Sequence, residues 1–222
     1  MELYDTVLAR GFLPNLQQQT TVRVLTKLEL AYGLSSRMAE ALDDRSDSTV
    51  EMLGELLCYI ELTRSALLVS EEHSYDHGDG VFFPDERPLG PLRALMTQWI
   101  PRAMEIVALI GGHNLMTAPS QAMLRNPKLR SFIDIYFAGP NGSDAESRSA
   151  LFRLAWDFIG SALAGRQELY ERFYIRSGRS NRRALYVQAV GSAVPSVAEL
   201  DYDRMPSHER ANRLVDGILA SS

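Results

Sequence analysis

Cysteine is almost absent from this sequence, and the sequence also lacks a membrane-spanning run and a secretion signal. Cys58 is the single cysteine, so the chain cannot close an intrachain disulfide or build a thiolate metal site. No apolar run reaches the roughly 18 residues of a membrane helix. Residues 1–5 lack the basic, then apolar, start of a secretion signal. We therefore expect a soluble, cytoplasmic protein without a membrane partner.

An excess of basic charge is also missing. The chain has 23 Lys and Arg against 28 Asp and Glu, a net charge of −5, so we predict no nucleic-acid partner. His73 and His77 are four residues apart, but glycines follow at once and no acidic helix motif accompanies them, so we predict no metal site. The Gly-x-Ser-x-Gly elbow, the P-loop and the dinucleotide fingerprint are absent as well. The residues alone identify no catalytic group.

Helical periodicity is what the sequence does contain. Apolar residues recur every three to four positions over 16–42, 48–72, 92–110 and 143–174, while strand-like alternation is scarce. Ser48 and Ser143 each precede a glutamate by three residues, the spacing of a capping box. Pro101 predicts a kink or two short helices in the third segment. Cys58 lies in an apolar stretch and is expected to be buried.

These four long segments predict an all-α fold, an antiparallel four-helix bundle with short extra helices. We assign residues 1–190 to the bundle and 191–222 to a tail in which Ser207 starts a last short helix. The first helix is apolar around much of its circumference, which predicts packing on several sides and a homo-oligomer.

Two segments are candidates for ligand contact. Gly111 and Gly112 follow an apolar helix, where glycines either end the helix or let backbone approach a ligand, and taken alone the helix end is favoured. In the second segment, Gly160 and Ala164 leave space for a flat ligand or another backbone, and Gly165-Arg166-Gln167 offers donors suited to a diphosphate. A small-residue helix-packing face with a solvated end explains the second segment equally well.

The second segment resembles the C-terminal signature of the 4-hydroxyphenylacetate 3-monooxygenase oxygenase family. Its members carry runs much like Leu-Phe-Arg-Leu-Ala-Trp-Asp at 151–157 and Gly-Arg-Gln-Glu-Leu-Tyr-Glu-Arg-Phe at 165–173. The similarity extends over roughly residues 15–190. Supporting matches occur in the same order along the chain at Lys27-Leu28-Glu29, 53–56, Pro101-Arg102, Gly111-Gly112, Leu115-Met116 and Pro119-Ser120.

The resemblance implies a bundle of the type found at the C-terminus of acyl-CoA dehydrogenases, which forms the centre of a dimer-of-dimers tetramer. It also implies a part in a two-component hydroxylase, in which reduced FAD from a partner flavin reductase and dioxygen hydroxylate a phenol ortho to its hydroxyl group. By that resemblance, the flavin contacts map to Ser161, Ala164, Gly165, Arg166 and Gln167. Gly111 and Gly112 would lie near the adenosine end.

The sequence departs from the family in what it does not contain. Family members have an N-terminal half that supplies the phenol pocket, and Ala164 stands where a glycine is common. A bundle alone does not keep the reacting flavin dry, so we expect a domain or split subunit that acts with an N-terminal-half partner. A stand-alone descendant, such as a cofactor-free cyclase or isomerase, and a non-catalytic assembly module are the alternatives.

Overall fold

Helices make up most of the computed structural model, which describes residues 12–78, 80–140, 142–174, 176–189 and 207–220. The predicted all-α class is confirmed. A short two-stranded antiparallel sheet pairs Tyr75 with Phe83. In chain order the elements are α1 (Leu13–Leu42), α2 (Asp47–Glu72), β1 (Tyr75–Asp76), β2 (Phe82–Phe83), α3 (Leu89–Gly111), α4 (Asn114–Thr117), α5 (Gln121–Arg125), α6 (Pro127–Tyr136), α7 (Ala145–Ile159), α8 (Ala162–Phe173), α9 (Gly178–Ala189) and α10 (Ser207–Ala220).

Side-chain contacts between the long helices show their relative directions. Gln18 and Glu29 of α1 bond Glu71 and Arg64 of α2 in reverse order, so these two helices are antiparallel. The same reversal relates α2 to α3, where Glu55 bonds Arg102 and Tyr59 stacks on Trp99. Across the other side of the bundle, Arg23 bonds Glu171 and Lys27 bonds Gln167, so α8 is antiparallel to α1. The bundle therefore alternates in direction, with α7 and α8 together forming its fourth member.

The core lies between α1, α2, α3 and α7. Its residues come from the periodic apolar positions of the sequence, because each helix turns one stripe toward the others. Fully buried members are Val24, Leu28, Met38, Leu56, Ile106, Val107 and Phe152. Only Val22 and Leu30 are large exposed apolar residues within α1. The apolar coverage of α1 is thus mostly used within the chain.

Two predicted helix starts are displaced. Ser46, not Ser48, precedes the first residue of α2. Asp144 rather than Ser143 caps α7, with its carboxylate accepting a hydrogen bond from the Ser147 N–H at 2.8 Å. An aspartate is as good a cap as a serine, so the capping-box spacing alone did not select the residue.

Two further expectations require correction. The helix α3 runs through Pro101 as one element, so the alternative of two short helices is wrong. Cys58 is exposed rather than buried, because it lies on the outer side of α2 beside Leu57 while Leu56 and Ile60 face the core.

The tail contains the predicted last helix, α10, which begins at Ser207. The proposed boundary at 190/191 lies outside the described residues. Within the described ranges, none of the helices combines the length and apolar composition needed to cross a membrane. In the same ranges, no cluster of three or more His, Cys, Asp or Glu side chains is placed to hold a metal ion.

Candidate functional site

The segment expected to be one long helix is divided at Gly160 and Ser161. Trp156 packs so closely on Gly160 that a Cβ there would lie 2.8 Å from the indole ring. The Ser161 hydroxyl accepts a hydrogen bond from the Ala164 N–H at 3.1 Å and donates one to the Asp157 carbonyl at 2.7 Å. Ser161 is therefore the N-cap of a new helix, α8, which carries the other candidate contacts of this segment.

Ala164 and Gly165 face opposite environments on α8. Ala164 is 1% exposed, so its methyl group lies inside the bundle. A Cβ on the exposed Gly165 would have no atom of the described residues within 4 Å. The flat space expected beside Gly160 is occupied by the Trp156 ring. The Ala164 methyl group is buried, whereas Leu163 and Gly165 on either side of it are exposed.

Gln167 lies between two concave surfaces. The first is an apolar notch of about 170 Å³ between α1, α3, α7 and α8, with Ala164 and Ile100 among its lining residues. The second, which we call the α8 groove, is an open depression of about 780 Å³ lined by Leu163, Arg166, Gln167, Leu169, Tyr170, Phe173 and Tyr174. Arg166 borders the groove with no ion-pair partner among the described residues.

A cluster of charges fixes α8 to α1. The Glu171 carboxylate, whose side chain is 2% exposed, accepts hydrogen bonds from Arg23 Nη2 at 2.9 Å and Lys27 Nζ at 2.5 Å. Lys27 Nζ also donates to Gln167 Oε1 at 2.6 Å. The Arg23 guanidinium lies 4.6 Å from the Tyr170 ring centre, and desolvation raises the pKa of that phenol. One buried carboxylate is therefore neutralised by two cations from a distant part of the chain.

Sequence reasoning did not identify this cluster, which joins α8 to α1. Lys27 was only a supporting match, and Glu171 was one letter of a long signature. The available signal was the spacing of Gln167 and Glu171, since residues four apart share a helix face. Nothing in the sequence identified α1 as the helix opposite them.

Gly111 and Gly112 end α3 away from these surfaces. The Gly112 N–H bonds the Ala108 carbonyl at 2.9 Å, and its φ of 53° with ψ of −141° suits glycine. A Cβ on Gly111 would lie 2.6 Å from Leu115. Gly111 is seven residues, or about 10 Å of helical rise, beyond Met104 in the notch lining. The structure thus brings Ala164 and Gln167 together in the notch and Arg166 and Gln167 in the groove, and leaves the two glycines outside both.

These features define a helical bundle domain whose α8 groove is lined by the hydrogen-bond donors of Arg166 and Gln167. The sequence profile of the HpaB family, described as 4-hydroxyphenylacetate 3-hydroxylase C terminal, matches residues 5–193. The chain belongs to this family.

Named relatives of this chain support its membership of the same family. The chain is 34% identical over 167 residues to the 4-hydroxyphenylacetate 3-monooxygenase oxygenase component of Thermus thermophilus. This match covers 75% of this chain and 34% of the relative. It is 29% identical over 179 residues to the 4-nitrophenol 2-monooxygenase oxygenase component of a Rhodococcus species, covering 77% of this chain and 34% of that relative. The chain thus spans about a third of the length of these relatives.

Solved structures show the same fold. The crystal structure of a 4-hydroxyphenylacetate 3-monooxygenase oxygenase component, complexed with FAD and 4-hydroxyphenylacetate, matches with a TM-score of 0.81 at 29% identity and covers 98% of this chain and 43% of its own. An archaeal 4-hydroxybutyryl-CoA dehydratase from N. maritimus matches with a TM-score of 0.67 at 18% identity, covering 94% of this chain and 43% of its own. The second similarity concerns the fold alone.

Proposed function

We propose that this chain is the helical domain of a two-component aromatic hydroxylase and that it contributes contacts to reduced FAD supplied by a flavin reductase. The observation that carries the proposal is a pair of donor groups, the Arg166 guanidinium and the Gln167 amide nitrogen, that have no partner among the described residues and lie next to the exposed Gly165 in sequence. A dinucleotide presents a charged diphosphate, for which a guanidinium is a suitable partner.

The fit of the groove to such a ligand can be judged from its lining. Leu169 and Phe173 are 58% and 60% exposed, so the groove offers apolar surface next to the two donor groups. That combination suits a ligand with flat rings and an anionic linker. When bound, reduced FAD would be the group that reacts with dioxygen. The residues of this chain would hold and orient the FAD.

The described residues leave the groove open to solvent, so further polypeptide must cover it during an oxygen reaction that requires the exclusion of water. The match covers 34% of the Thermus relative, so about two thirds of that protein lies outside the matched region. We propose that the corresponding region, in the same polypeptide or in a partner chain, forms the opposite wall and binds the substrate. The relatives' names include 4-hydroxyphenylacetate and 4-nitrophenol, so we propose a para-substituted phenol as substrate.

Titration with oxidised and reduced FAD tests the proposal, using the chain alone and mixed with the region that precedes the matched domain in the Thermus relative. We expect Arg166→Ala to weaken binding about tenfold or more, the effect of losing a charged hydrogen bond. Arg172→Ala is the matched control, because Arg172 lies on the same helix, pairs with Glu168 and does not line the groove. Equal FAD affinity in wild type and Arg166→Ala would remove the assignment.

We also propose that the chain forms a homo-oligomer, a dimer or tetramer, through α6. Phe132, Ile135 and Tyr136 share one side of this helix and are 59%, 70% and 81% exposed. Such a cluster of exposed apolar side chains is typical of an interaction surface. Light scattering should give a mass above that of one chain, and Ile135→Asp should reduce it. A monodisperse wild-type monomer at micromolar concentration would contradict this proposal.

A further inference from the structure

Lys27 determines which atoms of Gln167 are available to a ligand. Its ammonium group lies 2.6 Å from Gln167 Oε1 and 2.5 Å from Glu171 Oε1, and Arg23 holds Glu171 from the other side. The Lys27 side chain is only 21% exposed. The ammonium is therefore confined between two acceptors on the same side of α8.

The orientation of the Gln167 amide follows from chemistry as well as from the coordinates. A lysine ammonium has three donors and no acceptor, so the amide must turn its oxygen, not its nitrogen, toward Lys27. The amide nitrogen is consequently directed away from Lys27. Within the described residues it has no hydrogen-bond acceptor, and Gln167 lines the α8 groove.

We infer that Lys27 is a positioning residue that restricts Gln167 to donating, so that Gln167 meets an acceptor oxygen of the bound cofactor. The inference rests on the proposed function. A free glutamine side chain would present either end of its amide to a ligand. Here the oxygen end is occupied, and the two amide N–H groups belong to a residue that lines the same groove as Arg166. Together they recognise acceptor atoms, either of a diphosphate or of a flavin ring.

Three substitutions separate this role from a structural one. Gln167→Glu keeps an oxygen toward Lys27 and removes both donors, so FAD affinity should fall about tenfold or more. Lys27→Met leaves Gln167 free to rotate, and the cost of ordering it again should weaken binding about three- to tenfold. Lys27→Arg retains a donor for both acceptors and should restore most of the affinity.

Glu171→Gln is the matched control, because it disrupts the same charge cluster but leaves the Lys27–Gln167 hydrogen bond in place. If Lys27 acts only through stability, Glu171→Gln should weaken FAD binding as much as Lys27→Met does. We expect it to keep FAD affinity within about twofold of wild type.

The side-chain amide signals of Gln167 in a 15N NMR spectrum give a readout that is independent of activity. They are assigned by their loss in Gln167→Glu, should shift in Lys27→Met without ligand, and should shift in wild type when FAD is added. Parallel additions of ADP and riboflavin distinguish a diphosphate acceptor from a ring acceptor. Equal loss of affinity in Lys27→Met and Glu171→Gln, or unchanged affinity in Lys27→Met, overturns the inference alone. Absence of FAD binding by wild type, alone and with the complementing region, overturns the proposed function and the inference with it.

Discussion

Glu171→Gln should destabilise the bundle more than any other single charge removal on α8. The carboxylate accepts three charged hydrogen bonds, two from Arg23 at 3.2 and 2.9 Å and one from Lys27 at 2.5 Å. Breaking a fully buried ion pair by removing one partner costs about 3–5 kcal/mol. The side chains of Arg23 and Lys27 are 30% and 21% exposed and can regain water, so we expect a lower cost, about 2–3 kcal/mol.

Urea unfolding followed by circular dichroism at pH 7 measures this free energy. In a domain of this size, 2–3 kcal/mol corresponds to a fall in Tm of about 4–12 °C. Glu168→Gln is the control, because the Glu168–Arg172 pair on the same helix is exposed and should be worth less than about 1 kcal/mol. If the two variants unfold with free energies within about 0.5 kcal/mol of each other, the account of Glu171 as a buried anchor is refuted.

Three further outcomes are expected. The hydrogen bonds from Arg102 lower the pKa of the Glu55 carboxyl below 4.5, so Glu55 stabilises the fold above that pH and loses its contribution as the pH falls. Glu55→Gln should therefore reduce the unfolding free energy at pH 7 and have less effect at pH 3. Urea titrations at both pH values would measure the difference. Gly112→Ala should cost about 1–3 kcal/mol in the same assay, because the backbone there has a φ of 53°. Gly165→Ala should stabilise α8 by about 0.5–1 kcal/mol, since the added Cβ contacts no atom of the described residues. The same variant should weaken FAD binding, and unchanged FAD affinity would remove Gly165 from the predicted contacts.

Periodicity was sufficient to predict the long helices, because the buried stripes of α1, α2 and α3 are formed by local spacing. It did not predict the break between α7 and α8, since apolar residues continue on both sides of it. The Gly160-Ser161 pair was the available signal: a glycine that accommodates the Trp156 ring, followed by a serine that caps the next helix. For the small residues of this segment the sequence left a ligand surface and a helix-packing face equally open, whereas in the structure Gly160 ends a helix.

The candidate contacts were predicted with less detail than the fold. Resemblance selected a run of consecutive residues, but consecutive residues on a helix point about 100° apart. The structure separates them accordingly, placing Ala164 in the core and Arg166 on the surface. The role of Lys27 depends on a contact with Gln167 across 140 positions of sequence, which no local pattern encodes.

The contact between α1 and α8 also sets an order of events during synthesis. Lys27 and Glu171 are separated by 144 residues, so α1 leaves the ribosome long before its partner exists. Until then Arg23 and Lys27 of the nascent chain have no carboxylate partner on α8, and the apolar side of α1 that packs on α7 stays uncovered. That surface is buried only when the fourth member of the bundle emerges. Cutting the polypeptide between α3 and α7 would convert that closure into association between two chains, whose completeness would then depend on their concentrations.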